Sequence, residues 1–485
     1  MLIFTAGWLV FNGWREFNAT MSLFPQNSRW GKVDVSGLHV DEARQRVAAY
    51  YLAPLEIHYG ENVMIIPAEE TGFQLDFEGE NQKEKEKIIS SFWAFLWNGT
   101  QSGVEWEVEF SLDEKKLRRF LQAEIAARYD IPASLSLPIA GSSRFTIPTA
   151  GRSLDIENSL IGFRRILEAP DQRLVELVIH QNPPEPVDAA ILKAVLIDEL
   201  KQAAFNGIAE IYLSRLKDEE IIHFAVQNGQ EVPFNIAFSA ASTIKIPILL
   251  SALMEVNSPF PDDLINQAER MMVYSENPPA DRIMETYIGS TLAPLQVTEN
   301  LQKAGFQNTF LAGYFYLGAP LLQRFETEAN QRSDINLAPD VYNQTTAGDM
   351  GLLLEEIYHC AQEGKGRLAE TFPEQITPEK CFFIIEMMKR NRIGVLAQAG
   401  LPEGTAFAHK HGWSEESDGF LHTISDVGIV FGPQSDYVMV IFLYDPVQLL
   451  FEPANALMAK LSQRIFNAWN PDYQVEWAFG NIRYR

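Results

Sequence analysis

Apolar and polar positions along the chain follow two periods, which together predict a mixture of helices and strands. Helical spacing marks three long segments, at Val40 to Tyr51, Asp188 to Phe205 and Pro453 to Trp469. Alternation or short apolar runs predict strands at Leu55 to Tyr59, Val63 to Pro67, Ile208 to Leu216, Ile221 to Gln227, Thr405 to His409, Asp426 to Phe431 and Tyr437 to Tyr444. The C-terminal order of helix, hairpin, helices, strands and helix predicts an α+β fold whose helices cover an antiparallel sheet.

Two stretches in the N-terminal part of the chain resemble each other. Ile65-Ile66-Pro67 precedes Gly72 and an apolar-Asp pair, and Thr146-Ile147-Pro148 precedes Gly151 and a similar pair. A helix-like segment follows each copy, at Glu84 to Trp97 and at Asn158 to Leu167. This internal sequence repeat predicts two degenerate copies of a small α+β unit.

The clearest boundary is a proline-rich stretch at residues 181–187, which predicts a stiff linker. It separates an α+β region at 30–180 from a larger domain at 188–472, with a tail at 473–485. Residues 1–29 begin with an uncharged apolar run that is shorter than the roughly 20 residues of a spanning helix. We favour a truncated membrane anchor and linker, because Arg15 follows directly; an ordinary buried segment is the alternative.

Net charge and cysteine content limit the kinds of molecule that the protein is expected to bind. The 485-residue chain has a formal net charge of −25, which argues against nucleic acid or an anionic membrane surface as the main partner. Cys360 and Cys381 are the only cysteines, and no Cys/His spacing is typical of zinc. We therefore predict no metal site and no cofactor.

Candidate chemistry begins with Ser242 and Lys245, which are three residues apart before an apolar, helix-length run. If a helix begins near Ser242, both side chains lie on one face. A serine hydroxyl needs a neighbouring base, and an amine can serve if burial lowers its pKa. Taken alone, the motif is explained better by a buried serine beside a lysine.

Two later motifs add polar groups of the same kind. Ser275 and Asn277 lie on a predicted loop between helices, where a hydroxyl could relay a proton and an amide could hold a substrate carbonyl. Lys410-His411-Gly412 follows a predicted strand, where the lysine could offer positive charge to a carboxylate and the glycine could admit a substrate backbone. A capping turn and a surface lysine explain each motif when it is taken alone.

The ordered set of S-x-x-K, S-x-N and K-x-G is more specific, and Asp188 to Asn470 resembles the class A β-lactamases, within the penicillin-recognising serine hydrolases. The resemblance implies a β-lactamase/transpeptidase-like domain. It also implies that Ser242 is the acylated nucleophile and one oxyanion donor through its N–H, that Lys245 takes part in its activation, and that Ser275 passes a proton to the leaving nitrogen. Substrate would then contact Asn277, Lys410, His411 and Gly412.

Class A enzymes activate the deacylating water with an omega-loop glutamate that has an asparagine four residues later. The resemblance implies this role for Glu326, with Asn330 as its partner; a solvated loop carboxylate is the alternative. The chain departs from the family pattern at Glu276 and at His411, which replaces a hydroxyl residue. The interval between Ser242 and Ser275 is also shorter than in the family, which suggests that helices between the motifs are missing.

The pattern from Gly31 to Ala43, G-K-V-D-V-S-G-L-x-x-x-E-A, resembles a peptidoglycan-binding domain that precedes vancomycin-resistance-type proteins and some L,D-transpeptidases. The resemblance implies cell-wall binding, and a spacer between membrane and enzyme is the alternative. In an exported protein Cys360 and Cys381 could pair, whereas two buried thiols are the alternative.

Together these patterns predict an extracytoplasmic serine hydrolase, anchored at the membrane by its N-terminus. Its expected reaction is the hydrolysis of β-lactam amides through a Ser242 acyl-enzyme. A D-alanyl-D-alanine carboxypeptidase or penicillin-binding protein acting on peptidoglycan peptides is the first alternative. A catalytically inert cell-wall-binding protein is the second alternative, and an inert Ser242 would favour it.

Overall fold

The computed structural model describes residues 8, 11–15, 23–77, 103–184, 186–289, 291–416 and 418–476. The chain divides into two compact units. The N-terminal unit comprises residues 1–134 and 149–184, and the C-terminal unit comprises 135–148 and 185–485. The short segment 135–148 therefore lies in the C-terminal unit, whereas the sequence pattern had assigned it to the region 30–180.

The N-terminal unit contains small sheets of two or three strands and short helices, within the described residues. Its strands are Arg29–Trp30, Val33–Asp34, Leu55–Tyr59, Asn62–Ile66, Phe73–Asp76, Glu105–Trp106, Glu109–Leu112, Gly151–Asp155, Leu174–Glu176 and Val178–Asn182. Its helical segments are Val40–Tyr51, Glu114–Phe120, the π-helical Leu121–Ala126, Ala127–Tyr129 and Ile156–Glu168. Each of two apolar clusters, around Trp30 and around Phe163, provides a small core.

The predicted helix Val40–Tyr51 is confirmed, but its cap is not Asp41. His39 caps it instead, and the Glu42 side chain accepts a hydrogen bond from the His39 N–H at 3.3 Å. The second copy of the internal sequence repeat has the predicted strand and helix, at Gly151–Asp155 and Ile156–Glu168. The helix predicted at Glu84 to Trp97 lies outside the described residues.

The C-terminal unit is built on a six-stranded antiparallel sheet. We label its strands β1 to β6 in chain order: Ile208–Arg215, Glu220–Gln227, Gln230–Val232, Ala406–Glu415, Leu421–Phe431 and Asp436–Tyr444. Their spatial order is β3-β2-β1-β6-β5-β4, so that β4 is an edge strand. The sheet is thus built from an N-terminal hairpin and three C-terminal strands, and β1 pairs with β6 from Ile208 opposite Tyr444.

Helices cover both faces of this sheet. The helices, labelled α1 to α9, are Ala189–Gln202, Lys245–Met254, Asp262–Met272, Asn277–Ile283, Ala293–Lys303, Ala347–Glu363, Arg367–Thr371, Pro378–Lys389 and Phe451–Trp469. Alternate residues of β1 enter opposite cores: Tyr212 packs with α2 and α6, and Leu213 packs with α1 and α9. All eight residues of β1 are therefore buried, and they include the polar Glu210, Ser214 and Arg215.

Packing and a covalent bond hold the helices in place. Leu457, Leu461 and Ile465 on α9 are buried, and each stabilises the fold by roughly 1.5–3 kcal/mol. Cys360 of α6 and Cys381 of α8 form a disulfide with a Cα–Cα distance of 6.0 Å, as the export hypothesis predicted. Within the described part of the chain, no helix combines the length and apolarity needed to cross a bilayer.

Candidate active site

Ser242 lies on a tight turn between a short strand and a buried helix. The strand Phe238–Ser239 leads into a 3₁₀ turn, Ala241–Ile244, which continues as α2 from Lys245. The sequence had suggested that the helix itself could begin near Ser242. The N–H and hydroxyl of Thr243 both donate to the Ala240 carbonyl, at 3.1 and 2.7 Å. In this hydrogen-bonded turn Ser242 is half-buried, and Lys245 is fully buried in the protein interior.

The ammonium nitrogen of Lys245 has three oxygen neighbours. Its Nζ lies 2.9 Å from Ser242 Oγ, 2.6 Å from the Ser275 carbonyl oxygen and 2.8 Å from Asn277 Oδ1. The ring of Phe315 lies on another side, with its centroid 5.5 Å from Nζ. The predicted pairing of Ser242 with Lys245 is therefore present, and the S-x-N loop completes the environment of the lysine.

Burial lowers the pKa of Lys245 to about 7, although the carboxylates of Asp281 and Glu276 oppose this shift. Near neutral pH, roughly half of the molecules then carry an uncharged amine at this position. A general base is most effective when its pKa lies near the working pH. The environment of Lys245 thus suits proton transfer at neutral pH.

Ser275 joins Lys245 to the sheet. It lies between α3 and α4 and adopts a left-handed backbone conformation, with φ of +59°, which is uncommon for a residue with a side chain. Its carbonyl faces Lys245, while its hydroxyl accepts a hydrogen bond from Lys410 Nζ at 2.8 Å. We call Ser242, Lys245, Ser275, Asn277 and Lys410 the acylation cluster.

Lys410 lies within strand β4, whereas the sequence pattern had ended the strand at His409. Its side chain is fully buried, and burial and the neighbouring Lys245 hold its pKa well below the usual range, against the effect of Asp426. Its Nζ also donates to the His411 carbonyl at 3.0 Å.

Gly412 faces the turn that carries Ser242. A Cβ atom at this position would lie 3.0 Å from the Ala240 oxygen, 3.1 Å from Thr243 Cγ2 and 2.8 Å from Ser425 Oγ. The glycine therefore allows the strand to pack against the nucleophile turn. The sequence analysis had explained it by close approach of a substrate backbone.

His411 is buried and stacks on Trp413 with the ring centroids 4.5 Å apart. Its Nδ1 lies 3.3 Å from Asn391 Nδ2. Burial, together with the positive charge of Lys410, lowers the pKa of His411 to about 2, so the ring is neutral at ordinary pH. Its predicted contact with a substrate carboxylate stays a prediction, and that contact would involve an uncharged imidazole.

Glu326 and Asn330 lie in a loop, residues 325–330, that the hydrogen bonds do not join to the acylation cluster. The Asn330 side chain donates to the Phe325 carbonyl at 3.1 Å and to Gln344 Oε1 at 2.9 Å, and its oxygen accepts from the Thr327 N–H. Glu326 is exposed. Asn330 thus joins the loop to the strand Asn343–Thr345, which pairs with the strand Phe238–Ser239. The deacylating role of Glu326 stays a prediction.

Two residues beside Lys245 were absent from the sequence-based site. Asp281 is only 8% exposed, and its Oδ1 accepts a hydrogen bond from the Phe315 N–H at 2.8 Å. Both residues line a cavity of about 320 Å³ together with Asn277 and Tyr316. The position of Asp281 four residues after Asn277 was a usable signal, whereas nothing in the local sequence points to Phe315.

Comparison with protein families finds a match over residues 263–469 to the family described as "Beta-lactamase enzyme family". The matched segment contains Ser275 and Lys410 and begins after Ser242 and Lys245. Comparison with curated proteins gave no match.

Solved structures similar to this chain include β-lactamases and a protein named PBP-A. The PBP-A structure is 18% identical, with a TM-score of 0.39, and the alignment covers 56% of this chain and 95% of PBP-A. A β-lactamase from Chitinophaga pinensis is 15% identical, with a TM-score of 0.41 and coverages of 57% and 99%. A β-lactamase from Xanthomonas campestris pv. campestris is also 15% identical, with a TM-score of 0.42 and coverages of 58% and 98%.

The matched segment contains strands β4 to β6 of the antiparallel sheet and helices α4 to α9 that pack around it, and the serine–lysine pair at the start of α2 precedes it. The C-terminal unit is a serine β-lactamase-like hydrolase with an α+β fold. The N-terminal unit is a separate, smaller α+β part of the chain.

Proposed function

We propose that the C-terminal unit forms an acyl-enzyme through Ser242 with β-lactam amides and with peptide amides that end in a carboxylate. The contacts of Lys245 carry this proposal. The Ser275 carbonyl and Asn277 Oδ1 can only accept hydrogen bonds, so they take the two N–H bonds of a neutral amine. The remaining lone pair then faces Ser242 Oγ at 2.9 Å, as a base for the hydroxyl proton.

The steps follow from these contacts. Ser242 Oγ attacks the amide carbon while its proton passes to Lys245, and the carbonyl oxygen becomes negative. The first-turn N–H of Ser242 supports this oxyanion, since it precedes the intrahelical hydrogen bonds. The C–N bond then breaks as Ser275 Oγ gives its proton to the leaving nitrogen. Lys410, at 2.8 Å, restores the proton to Ser275.

Lys410 is also the cation that a substrate carboxylate would meet near the edge strand β4. Burial lowers the pKa of Lys410, and an approaching carboxylate would raise it again because a nearby anion favours the charged form of the lysine. This supports amides whose acyl donor carries a carboxylate, which describes both penicillins and D-alanyl peptides. His411 is neutral and contributes no charge to this interaction.

Slow release of a β-lactam acyl group is the second part of the proposal, and it favours a penicillin-binding peptidase over an efficient β-lactamase. Deacylation needs a water molecule and a base close to the ester. Glu326 is exposed, and the side of Lys245 next to Asn277 is occupied by the Phe315 ring. The alternative, in which Glu326 activates water, requires this loop carboxylate to approach the cluster.

Intact mass spectrometry after incubation with a penicillin tests the proposal. We expect an adduct of one penicillin mass that persists for many minutes, and no adduct with Ser242→Ala. Penicillin that is consumed without an adduct, in a Ser242-dependent manner, would establish a β-lactamase instead. A chain that neither consumes penicillin nor gains mass would leave a cell-wall-binding protein as the better account.

We further propose that the protein acts outside the cytoplasm and that the N-terminal unit binds peptidoglycan. The Cys360–Cys381 disulfide supports an oxidising compartment. Cosedimentation of the full Ser242→Ala chain with purified peptidoglycan sacculi tests the binding, because this variant cannot be retained as an acyl-enzyme. A chain that stays in the supernatant at all salt concentrations would leave the spacer interpretation.

A further inference from the structure

We propose that Asp281 is a positioning residue that fixes both the walls and the charge environment of Lys245. The inference rests on the proposed function, because it takes Lys245 as the base of acylation. Asp281 does not touch Ser242 in the hydrogen-bond network, so it acts through its neighbours. Its position, its hydrogen bonds and its charge each contribute to the argument.

The position of Asp281 follows from helix α4. Asn277 begins this helix, and Asp281 is four residues later, so the two side chains lie on one face. Asn277 Oδ1 is an acceptor for Lys245 Nζ at 2.8 Å. The helix therefore presents one group that touches the lysine and, one turn further, a buried carboxylate.

A hydrogen bond of Asp281 also holds Phe315, on another side of Lys245. Its Oδ1 accepts from the Phe315 N–H at 2.8 Å, and the ring of the same Phe315 lies 5.5 Å from Lys245 Nζ. A charge-assisted hydrogen bond to a backbone N–H is stronger than a neutral one. One carboxylate thus connects helix α4 to the segment that carries Phe315, and Asp281 and Phe315 line the same cavity.

The charge of Asp281 acts on Lys245 from the same place. Two carboxylates raise the pKa of Lys245, first Asp281 and then Glu276, which forms an ion pair with Arg270. From strand β4 Lys410 faces Lys245, and burial and Lys245 lower the pKa of Lys410; the neighbouring His411 is neutral. Burial raises the pKa of Asp281 itself, while hydrogen bonds from the Phe315 and Tyr316 backbone oppose that shift. An ionised Asp281 therefore keeps Lys245 from losing its proton affinity altogether.

The test is the titration of Lys245 in full-length protein labelled with ¹³C-lysine, assigned by its loss in Lys245→Arg. Asp281→Asn keeps an acceptor for the Phe315 N–H but removes the charge. We expect the NMR midpoint of Lys245 to fall by about 0.5–1 pH unit. The acidic limb of penicillin acylation should move to lower pH by the same amount.

Glu285→Gln is the matched control, because Glu285 lines the same cavity but is exposed. We expect its Lys245 midpoint to stay within about 0.2 pH unit of wild type, since exposed charges are screened. Asp281→Glu separates the two roles: it retains the charge but lengthens the side chain. It should leave the midpoint near its wild-type value and slow acylation about tenfold at saturating penicillin, through a misplaced Phe315.

The outcomes distinguish this inference from the proposed function. A Lys245 midpoint that is unchanged in folded Asp281→Asn, with a normal thermal transition, would overturn the inference. If Asp281→Asn does not fold, the test passes to Asp281→Glu. A wild-type Lys245 midpoint together with a wild-type acylation rate in Asp281→Glu would overturn the inference. The Lys245 midpoint could shift in Asp281→Asn while penicillin acylates neither this variant nor the wild type. That result would support the role of Asp281 and refute the proposed function.

Discussion

The acylation cluster and the 325–330 loop correspond to motifs of one family resemblance, yet their side chains have different surroundings. In the acylation cluster, groups from a 3₁₀ turn, a helix start, an interhelical loop and a strand are linked in sequence by hydrogen bonds shorter than 3 Å. In the loop, the asparagine bonds its own backbone and Gln344, and the Glu326 carboxylate is exposed. Motif spacing in the sequence suggested a functional role for both regions. Only in the first region do the hydrogen bonds link the predicted side chains to one another.

The difference teaches that acylation and deacylation place separate demands on the fold. Acylation needs a base with a pKa near neutrality, and burial lowers the pKa of Lys245, the base that we propose, to about 7. Deacylation needs a water molecule and a base close to the ester, and we propose that the exposed Glu326 does not supply this base. A fold can therefore keep the first step intact without the second, and the following predictions test this separation.

Replacement of Lys245 should have the largest effect. Lys245→Met keeps the length of the side chain but removes the amine, so the Ser242 hydroxyl loses its base. We expect the rate of labelling by a fluorescent penicillin to fall about 10³-fold. Lys303→Met, at an exposed lysine paired with Glu299, is the control and should label at the wild-type rate. Rapid labelling of Lys245→Met would assign the base to another group.

Acylation should depend on pH through Lys245. A lysine whose pKa is lowered to about 7 is protonated below that pH and neutral above it. Because only the neutral amine accepts the Ser242 proton, the rate should rise with pH and level off above about 7. Below the midpoint it should fall about tenfold per pH unit, or roughly a hundredfold from pH 7.5 to pH 5. Stopped-flow labelling across this range checks the profile, and a flat profile would contradict it.

Gly412→Ala should have an intermediate effect. Its Cβ would meet Ser425 Oγ at 2.8 Å and the Ala240 oxygen at 3.0 Å, so β4 or the nucleophile turn must shift. We expect a loss of about 1–3 kcal/mol in the free energy of unfolding and about tenfold slower acylation. Adding Ser425→Ala removes the nearest contact and should restore part of both losses. A Gly412→Ala protein with unchanged acylation would show that the strand and turn adjust independently.

Local patterns predicted the elements well because they depend on periodicity and on short-range spacing. The i, i+3 relation of Ser242 and Lys245 survives the change from helix to 3₁₀ turn, because both geometries bring these side chains together. The strands Leu55–Tyr59 and Asp436–Tyr444 were also readable from their apolar runs. The C-terminal boundary of β4 was missed because the polar Lys410 and His411, which follow the predicted end at His409, are buried.

The environment of Lys245 could not be read in full from the sequence. Phe315 lies 70 positions from Lys245, and only the Asp281 hydrogen bond and the folded path of the chain bring its ring to the lysine. The 325–330 loop is the reverse case. Its spacing matched a pattern, but the exposure of Glu326 and the hydrogen bonds of Asn330 depend on how the loop folds.

Replacement of Glu326 should have the smallest effect, and it tests the comparison most directly. If Glu326 activated the deacylating water, Glu326→Gln would lengthen the life of the penicillin adduct by about a hundredfold or more. An exposed carboxylate outside the cluster predicts a lifetime within about twofold of wild type, the same as Glu328→Gln, which removes a second exposed carboxylate of this loop. Mass spectra taken at intervals after free penicillin is removed give both lifetimes. A large, selective delay in Glu326→Gln would mean that the loop approaches Ser242 after acylation, so that deacylation is assembled only in the acyl-enzyme.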